Sequence, residues 1–322
     1  MLANGGELLS PRDERVHEPV LLRPVLESLA PDAESLTGWI IDGTVGAGGH
    51  AHALLSRCPN ISLLGLDQDP ELIEIAREHL AEFGDRVRIV NERHSNLAEV
   101  VADQDIGRPV GMLLDLGVNS LHLDRAERGF SFQADGPLDM RMDPTRERTA
   151  ADIINNWDEQ DLADLFYHEG DERQSRRIAR DICQARRRVP FLRTAALADV
   201  IANAMGGGGG RIHPATRTFQ ALRRAVNEEG EELLRVLQGA EDVLADGARL
   251  VVLTFHSGED NAVKRHFSER AREGHWRLVT KKPLGPDSTE RRANPRARSA
   301  YLRYAVRTRG DNTVVGGGGV VQ

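Results

Sequence analysis

One stretch, Asp42-Gly43-Thr44-Val45-Gly46-Ala47-Gly48-Gly49-His50, holds the residues whose types and spacing point most directly to chemistry. It follows a short apolar run, Trp39-Ile40-Ile41, and precedes Ala51-His52-Ala53-Leu54-Leu55. Strand, glycine loop and helix form the unit that cradles nucleotides in doubly wound α/β folds. Glycines let the backbone approach a ligand closely, and the helix N-terminus offers free N–H groups. Asp67 stands 19 residues past Gly48, at the end of a second apolar run, Ile61–Leu66. That is the place of a ribose-binding carboxylate. The spacing Gly46-x-Gly48-x-x-Ala51 also passes as a dinucleotide fingerprint, and a tight turn with no ligand is the plain alternative.

Ligands of open parallel sheets bind beyond the carboxyl ends of the strands. Four such ends are visible: Asp42 with its loop, Asp67-Gln68-Asp69, Asn91–Asn96, and Asp115-Leu116-Gly117-Val118. Acidic strand ends would repel the pyrophosphate of a dinucleotide. They suit S-adenosylmethionine, whose ammonium, sulfonium and ribose diol each welcome an acceptor. A lone Asp more often caps a helix, but four converging stations argue for a site. Further clusters are Arg128–Pro144, His213–Gln220, Thr254–Ser257 and Asn294–Ser299. Arg291, Arg292, Arg296 and Arg298 suit phosphate, with a solvated basic turn as the alternative. His213 and His256 lack HxH, HxxxH or a nearby Cys, so no metal site is expected.

The elements that must position these residues follow from periodicity. Val25–Leu29 reads as a short helix, and Trp39–Ile41, Ile61–Leu66, Val87–Val90 and Val110–Leu114 as strands. Between them lie helices over Asp69–Phe83, opened by an Asp N-cap and a Pro, and over Asn96–Ala102. This alternation predicts a parallel, doubly wound sheet. The rhythm stops after Asn119. Helices are expected over Thr149–Asn155, Glu159–Phe166, Asp171–Arg186 and Thr194–Met205, followed by five glycines, Gly206–Gly210. A long helix over Thr216–Leu244, with a break near Gly230, leads back to strands at Arg249–Thr254, Trp276–Thr280 and Ala300–Arg307. The expected domains are 1–120 and 213–310 for the sheet, 121–212 for an inserted helical substrate-recognition domain, and 311–322 for a disordered tail.

The chain has 322 residues and two cysteines, Cys58 and Cys183, which support no disulfide framework. No apolar stretch approaches membrane-spanning length and Met1–Pro11 lacks the succession of a signal peptide, so a cytoplasmic protein without membrane contact is expected. Net charge is −8, distributed unevenly: residues 1–118 carry −11, 119–212 carry −2 and 213–322 carry +5. An acidic part joined to a basic remainder fits a protein that meets a polyanion with one face. Nearly all of the positive charge is arginine, which suits phosphate forks and base stacking.

The segments Asp42–His50, Asp115–Val118, Ala126–Asp143, His213–Gln220, Phe255–Ser257 and Asn294–Ser299 together resemble the bacterial family of 16S ribosomal RNA cytosine-N4 methyltransferases. The likeness runs from about His17 to Arg307, and GFSF-x-x-DGPLDMRMDPT and HPATRTFQ are long and specific. It implies an α/β, class I S-adenosylmethionine-dependent methyltransferase fold, a Rossmann-like doubly wound sheet with an inserted helical domain. It implies methylation of one cytidine amine in the decoding region of 16S rRNA, with the small ribosomal subunit as partner. Carried over by position, cofactor contacts fall on Gly48, Gly49, His50, Asp67, His94, Asp115 and His122; the family often has Phe at position 94 and Gln at 122.

The cytosine amine is a poor nucleophile, because its lone pair is delocalised into the ring. Direct displacement needs in-line placement and an acceptor that draws the N–H groups. Asp115 holds the station after the fourth strand, and Asp139 and His256 are further candidates for orienting or deprotonating the base. Arg217, Phe219, Arg296 and Arg298 are the candidate RNA contacts, with Phe130 and Phe132 as further surfaces for a splayed base. The six arginines Arg176, Arg177, Arg180, Arg186, Arg187 and Arg188 suggest that the insertion clamps RNA and leaves the cofactor to the sheet. Two other readings stand: an RNA-binding ribosome-assembly factor with weakened catalysis, and an NAD-dependent oxidoreductase. Monomer and homodimer are both open.

Overall fold

The computed structural model describes residues 19–207, 213–280 and 282–308. The N-terminal tail, Gly208–Gly210 of the glycine run and the expected disordered tail lie outside the described residues. Contacts group the chain into two compact units. The first, helical unit comprises Asp67–Ile75 and Gly117–Leu233; the second, sheet unit comprises Glu18–Leu66, Ala76–Leu116 and the chain from Leu234. The helical unit thus extends past residue 212 and includes a short piece that follows the second strand.

In the sheet unit, α1 (Leu22–Leu29) precedes β1 (Gly38–Asp42), α2 (Gly49–Arg57) and β2 (Ile61–Asp67). Next come α3 (Pro70–His79), β3 (Val87–Asn91), α4 (Leu97–Asp103) and β4 (Gly111–Asp115). After the helical segment the chain returns with α11 (Glu229–Val243), β5 (Arg249–Thr254), α12 (Ser257–Arg272), β6 (Trp276–Leu278), α13 (Glu290–Ala293) and β7 (Tyr301–Arg307). The seven strands lie in the order β3-β2-β1-β4-β5-β7-β6. The central strands are nearly all apolar: Ile40, Ile41, Leu63, Leu64, Leu113, Leu114, Val251 and Val252 are fully buried. Such continuous apolar runs belong to parallel strands covered on both faces.

β1 pairs in parallel with β2 and β4, and β4 with β5, but β7 runs antiparallel to both β5 and β6. The parallel sheet expected from the alternation is therefore corrected at β7 alone, which runs against both of its neighbours. The reason is topological. Parallel neighbours need a crossover element; α12 supplies one between β5 and β6, but between β6 and β7 stand only α13 and a 3-10 turn. The chain returns directly and slots β7 between the two. In this seven-stranded order β7 is the reversed strand, lying between β5 and β6.

The helical unit contains α5 (Ser120–Asp124), α6 (Ala150–Asn156), α7 (Glu159–Gly170), α8 (Ser175–Arg186), α9 (Thr194–Ala204) and α10 (Thr216–Asn227). Its core gathers Ile153, Leu162, Phe166, Ile178, Ile182, Leu197, Ile201, Phe219 and Leu222. Three boundaries differ from the periodic reading. Asp171 adopts φ 52° as the cap of α7, so α8 opens at Ser175 rather than at Asp171. The long helix breaks at Glu228, where φ is 54°, and not at Gly230, which continues as ordinary helix. The helix opened by Asp69 stops at His79 and passes into a 3-10 segment, Ala81–Arg86, with Gly84 at φ 52°. α12 was not anticipated, because among its sixteen residues only Val263 and Phe267 are buried apolar side chains.

Candidate active site

In the sheet unit the site is built at the carboxyl ends of β1, β4 and β5. The glycine loop leaves β1 with Gly43 N–H donating to Leu113 O and Val45 N–H to Leu66 O, at 2.9 and 2.8 Å. These bonds tie the loop to both neighbouring strands. Gly46 and Gly48 have φ of 53° and 88°, a region that disfavours side chains. A Cβ on Gly48 would also lie 3.2–3.3 Å from Leu80 and His79. Gly48 is the N-cap of α2, and Gly49 and His50 form its first turn.

Asp42 is buried and accepts the Thr44 N–H at 3.2 Å. The Thr44 hydroxyl accepts the Asp115 N–H at 2.6 Å, fastening the end of β4 to the loop. The Asp115 side chain is buried on its inner side. Its Oδ1 has no hydrogen-bond partner among the described residues, and its Oδ2 lies 3.5 Å from His50 Nδ1. Burial raises its pKa to about 8, reinforced by the negative neighbours Asp42 and Glu259. His50 is buried and its pKa is pushed down to about 4 by the same loss of water. Its Nε2 meets Val20 O at 3.0 Å. A carbonyl can only accept, so Nε2 carries the proton and Nδ1 faces Asp115 with a lone pair. A neutral carboxyl group opposite a neutral imidazole satisfies both shifts.

Beyond β5, His256 caps α12. Its Nδ1 accepts the N–H groups of Gly258 and Glu259, which leaves the ring proton on Nε2, 2.9 Å from Glu259 Oε1. Glu259 also accepts the Phe255 N–H at 3.0 Å. Three carboxyl groups, Asp42, Asp115 and Glu259, therefore gather at one sheet edge. Glu259 was not singled out from sequence; its only signal there was its place one turn after the Phe-His-Ser segment. His94 lies in a 3-10 turn beyond β3, half-buried. Arg296 and Arg298 are exposed near α13, Arg298 donating to Arg291 O.

In the helical unit, Asp67 accepts the Asp69 N–H at 2.9 Å and remains half-buried. Asp69 is almost fully buried. Its Oδ1 caps α3 through the Glu71 N–H, and its Oδ2 receives His122 Nε2 at 2.8 Å and an Arg128 N–H at 2.7 Å. These donors hold its pKa below the usual carboxylate value against the cost of burial. His122 Nδ1 accepts the Asn119 N–H, completing a capping box on α5. A Gln at this third helical position caps in the same way, which explains how His and Gln interchange there. Both ring nitrogens of His122 are thus engaged by protein, and Phe130 stacks on the ring at 4.8 Å. His122 acts on Asp69 and α5 and offers no free polar atom to a ligand.

The Arg128–Pro144 segment is a packed strap. Gly129 and Gly136 cannot carry a side chain, since a Cβ would sit 2.1 Å from Pro137 O and 1.7 Å from Ala126 O. Asn227 clamps it, accepting the Met142 N–H at 2.9 Å and donating to Met140 O at 2.8 Å. Asp139 is held by both guanidinium arms of Arg141, at 2.8 and 2.7 Å, so its carboxylate already has a cationic partner. Phe219 is buried, edge-on to Phe132 at 4.9 Å, and cannot receive a base without moving. Phe132 lies 4.5 Å from the exposed His213, and Arg217 is exposed on α10. Arg186 donates to Ile154 O and Trp157 O, capping α6, and so is not available to phosphate.

Comparison with known proteins gives the family of the chain. A protein from Methylobacterium sp. (strain 4-46), ribosomal RNA small subunit methyltransferase H, is 46% identical over 309 residues, covering 91% of each chain. Its namesake from Synechococcus elongatus is 49% identical over 295 residues, covering 90% of this chain and 94% of that one. A solved rRNA methylase from Streptococcus thermophilus overlaps 91% of this chain and 99% of its own at 10% identity and a TM-score of 0.44, and the assignment rests on the sequence relatives instead. The profile of the MraW methylase family matches residues 14–308, nearly the whole chain. On that match and those identities, the chain belongs to the MraW methylase family.

Proposed function

We propose that the protein transfers a methyl group from S-adenosylmethionine to the exocyclic N4 amine of a cytidine in the decoding region of 16S rRNA. Family membership and relatives named ribosomal RNA small subunit methyltransferase H support the coarser statement, an rRNA small subunit methyltransferase. The oxidoreductase reading falls with that membership. Among the described residues no helix is long and apolar enough to cross a membrane, and a cytoplasmic site of action fits an rRNA substrate.

The observation that carries the finer reading is Asp115 Oδ1, a buried acceptor with no partner among the described residues at the end of β4. Such an atom is costly unless a ligand satisfies it. The acidic donor set fits a cationic cofactor: Asp42, Asp115 and Glu259 meet positive charge, Gly48, Gly49 and His50 supply a helix N-terminus, and Asp67 suits a ribose diol. When bound, S-adenosylmethionine would supply an electrophilic methyl whose bond to the sulfonium sulfur breaks as the new bond forms, the electron pair leaving on sulfur as a neutral thioether. Positive charge nearby favours the ionised form of Asp115. The carboxylate then accepts an N–H of the amine, localises the nitrogen lone pair, and takes the proton that N4 loses when its new bond to carbon forms.

The test is to incubate the protein with S-adenosylmethionine and small subunits from cells lacking it, then digest the RNA and analyse nucleosides by mass spectrometry. N4-methylcytidine is expected. A methyl group on carbon 5, or none, overturns the reading.

A further inference from the structure

The connection between α8 and α9, Arg187-Arg188-Val189-Pro190-Phe191-Leu192-Arg193, combines two properties that rarely coincide. Its backbone is pinned from several sides. Asn155 donates to Phe191 O at 2.8 Å and accepts the Phe191 N–H at 2.9 Å. The Leu138 N–H donates to Leu192 O at 2.9 Å, and Gly136 and Thr194 exchange bonds at 2.9 and 3.0 Å. The Phe191 ring is buried as an anchor, 4% exposed. Yet Val189 and Leu192 are 70% and 67% exposed, the largest exposures among the described large hydrophobic side chains. A loop this constrained gains nothing in folding from holding two apolar side chains in water, and exposed apolar groups on rigid backbone mark a contact surface.

Its charge names the partner. Arg187 and Arg188 are exposed, and no acidic side chain pairs with either among the described residues. Arg193, at the other end, is paired with Asp135 at 2.5 Å. Apolar wedges flanked by arginines are how proteins part stacked bases while holding the adjoining phosphates. A base that is to be methylated must leave its stack.

We infer that this loop is a preorganised wedge for RNA: Val189 and Leu192 pack against an unstacked base step, and Arg187 and Arg188 hold its phosphates. The inference rests on the rRNA substrate reading and adds to it the surface that opens the RNA.

The experiment uses the full chain with transcribed small-subunit rRNA and with a short RNA hairpin carrying 2-aminopurine beside a bulge. Wild-type protein is expected to raise 2-aminopurine fluorescence on binding. Val189→Ser with Leu192→Ser exchanges exposed side chains only, so folding is kept; it is expected to lose most of that rise and about tenfold in affinity. Arg187→Gln with Arg188→Gln is expected to reduce the slope of log affinity against log salt by roughly 1.4–1.8, the value for two phosphates. Unchanged affinity and fluorescence in the apolar variant overturn the wedge. So does a shift from dimer to monomer in sedimentation with RNA binding intact, which would make the loop an interface between copies. If wild-type protein methylates small subunits from cells lacking it and the wedge variant binds and methylates them equally well, the wedge alone falls; if wild type methylates neither the transcribed RNA nor those subunits, the substrate reading falls as well.

Discussion

Asp115 is a carboxyl group that burial and its negative neighbours Asp42 and Glu259 keep protonated up to about pH 8. Between its ordinary value near 3.8 and 8, the folded chain holds a proton that the unfolded chain has lost, so this group makes stability fall as pH rises. His50 acts oppositely: with a folded pKa of about 4 against 6.5, it makes stability fall as pH drops from 6.5 to 4. Only Asp115 of the pair acts above pH 6.5. Chemical denaturation of the cofactor-free protein is therefore expected to show lower stability at pH 8 than at pH 6.5, and Asp115→Asn should flatten that decline. An identical slope in the variant would remove the protonated carboxyl. The same proton must leave when a cation binds. Calorimetry of S-adenosylmethionine binding at pH 7 in buffers of different ionisation enthalpy should report proton release that Asp115→Asn abolishes. Asp67→Ala tests the ribose contact separately. It should weaken cofactor binding by about 1.5–3 kcal/mol, the scale for a hydrogen bond to a charged group; unchanged affinity takes Asp67 out of the site.

At the scale of elements, the strap that holds the long sequence motif depends on one side chain of a distant helix. Asn227, at the end of α10, satisfies the Met142 N–H and Met140 O, while Met140 itself sits at φ 65°. Asn227→Ala leaves both backbone groups buried without a partner. Each such group costs about 1–3 kcal/mol, so a loss of roughly 2–6 kcal/mol in unfolding free energy is expected. Denaturant titration showing less than about 1 kcal/mol would mean that water replaces the amide. Glu228 next to it pairs with Arg146 at 2.6 Å, and Arg223 with Glu229 at 2.7 Å. The break between α10 and α11 is thus a built corner, which explains why it falls here and not at the glycine two residues on.

At the scale of the whole chain, the helical unit is more than an insertion. It includes Asp67–Ile75, and Arg128 and Arg125 reach back to Asp69 and Glu71. The sequence reading has the helical segment clamp RNA and leave the cofactor to the sheet; exchanging the segment between Asp124 and Arg211 for a short linker tests that division, and these contacts speak against a kept cofactor affinity. Without Arg128, Asp69 loses a charged partner and the turn after β2, which carries Asp67, loses its support. The linker variant is expected to bind S-adenosylmethionine at least about tenfold more weakly, on the scale of one lost hydrogen bond to a charged group. Equal affinity by calorimetry in a folded deletion variant would restore the simpler division of labour.

What the sequence determined by itself was whatever depends on neighbours along the chain. Periodicity placed the strands β1, β2, β4 and β5 to within a residue or two, because a strand buried on both faces must be apolar throughout. The Asp-Pro start of α3 and the glycine loop were readable because caps and positive φ are local demands. The fold class and the methylase family were legible in long motifs. Only the tertiary structure decided matters that depend on approach across the fold. The reversal of β7 follows from the missing crossover, which no residue of β7 announces. Phe219 looked like a base platform in its motif, but it packs into the helical core. His122 looked like a ligand contact, yet hydrogen bonds to Asn119 and Asp69 engage both its nitrogens. Glu259 looked like one acid among many in a charged helix, until the end of β5 brought it toward Asp115. Charge, burial and hydrogen-bond partners are properties of a place, and a place is made by residues that lie far apart in the chain.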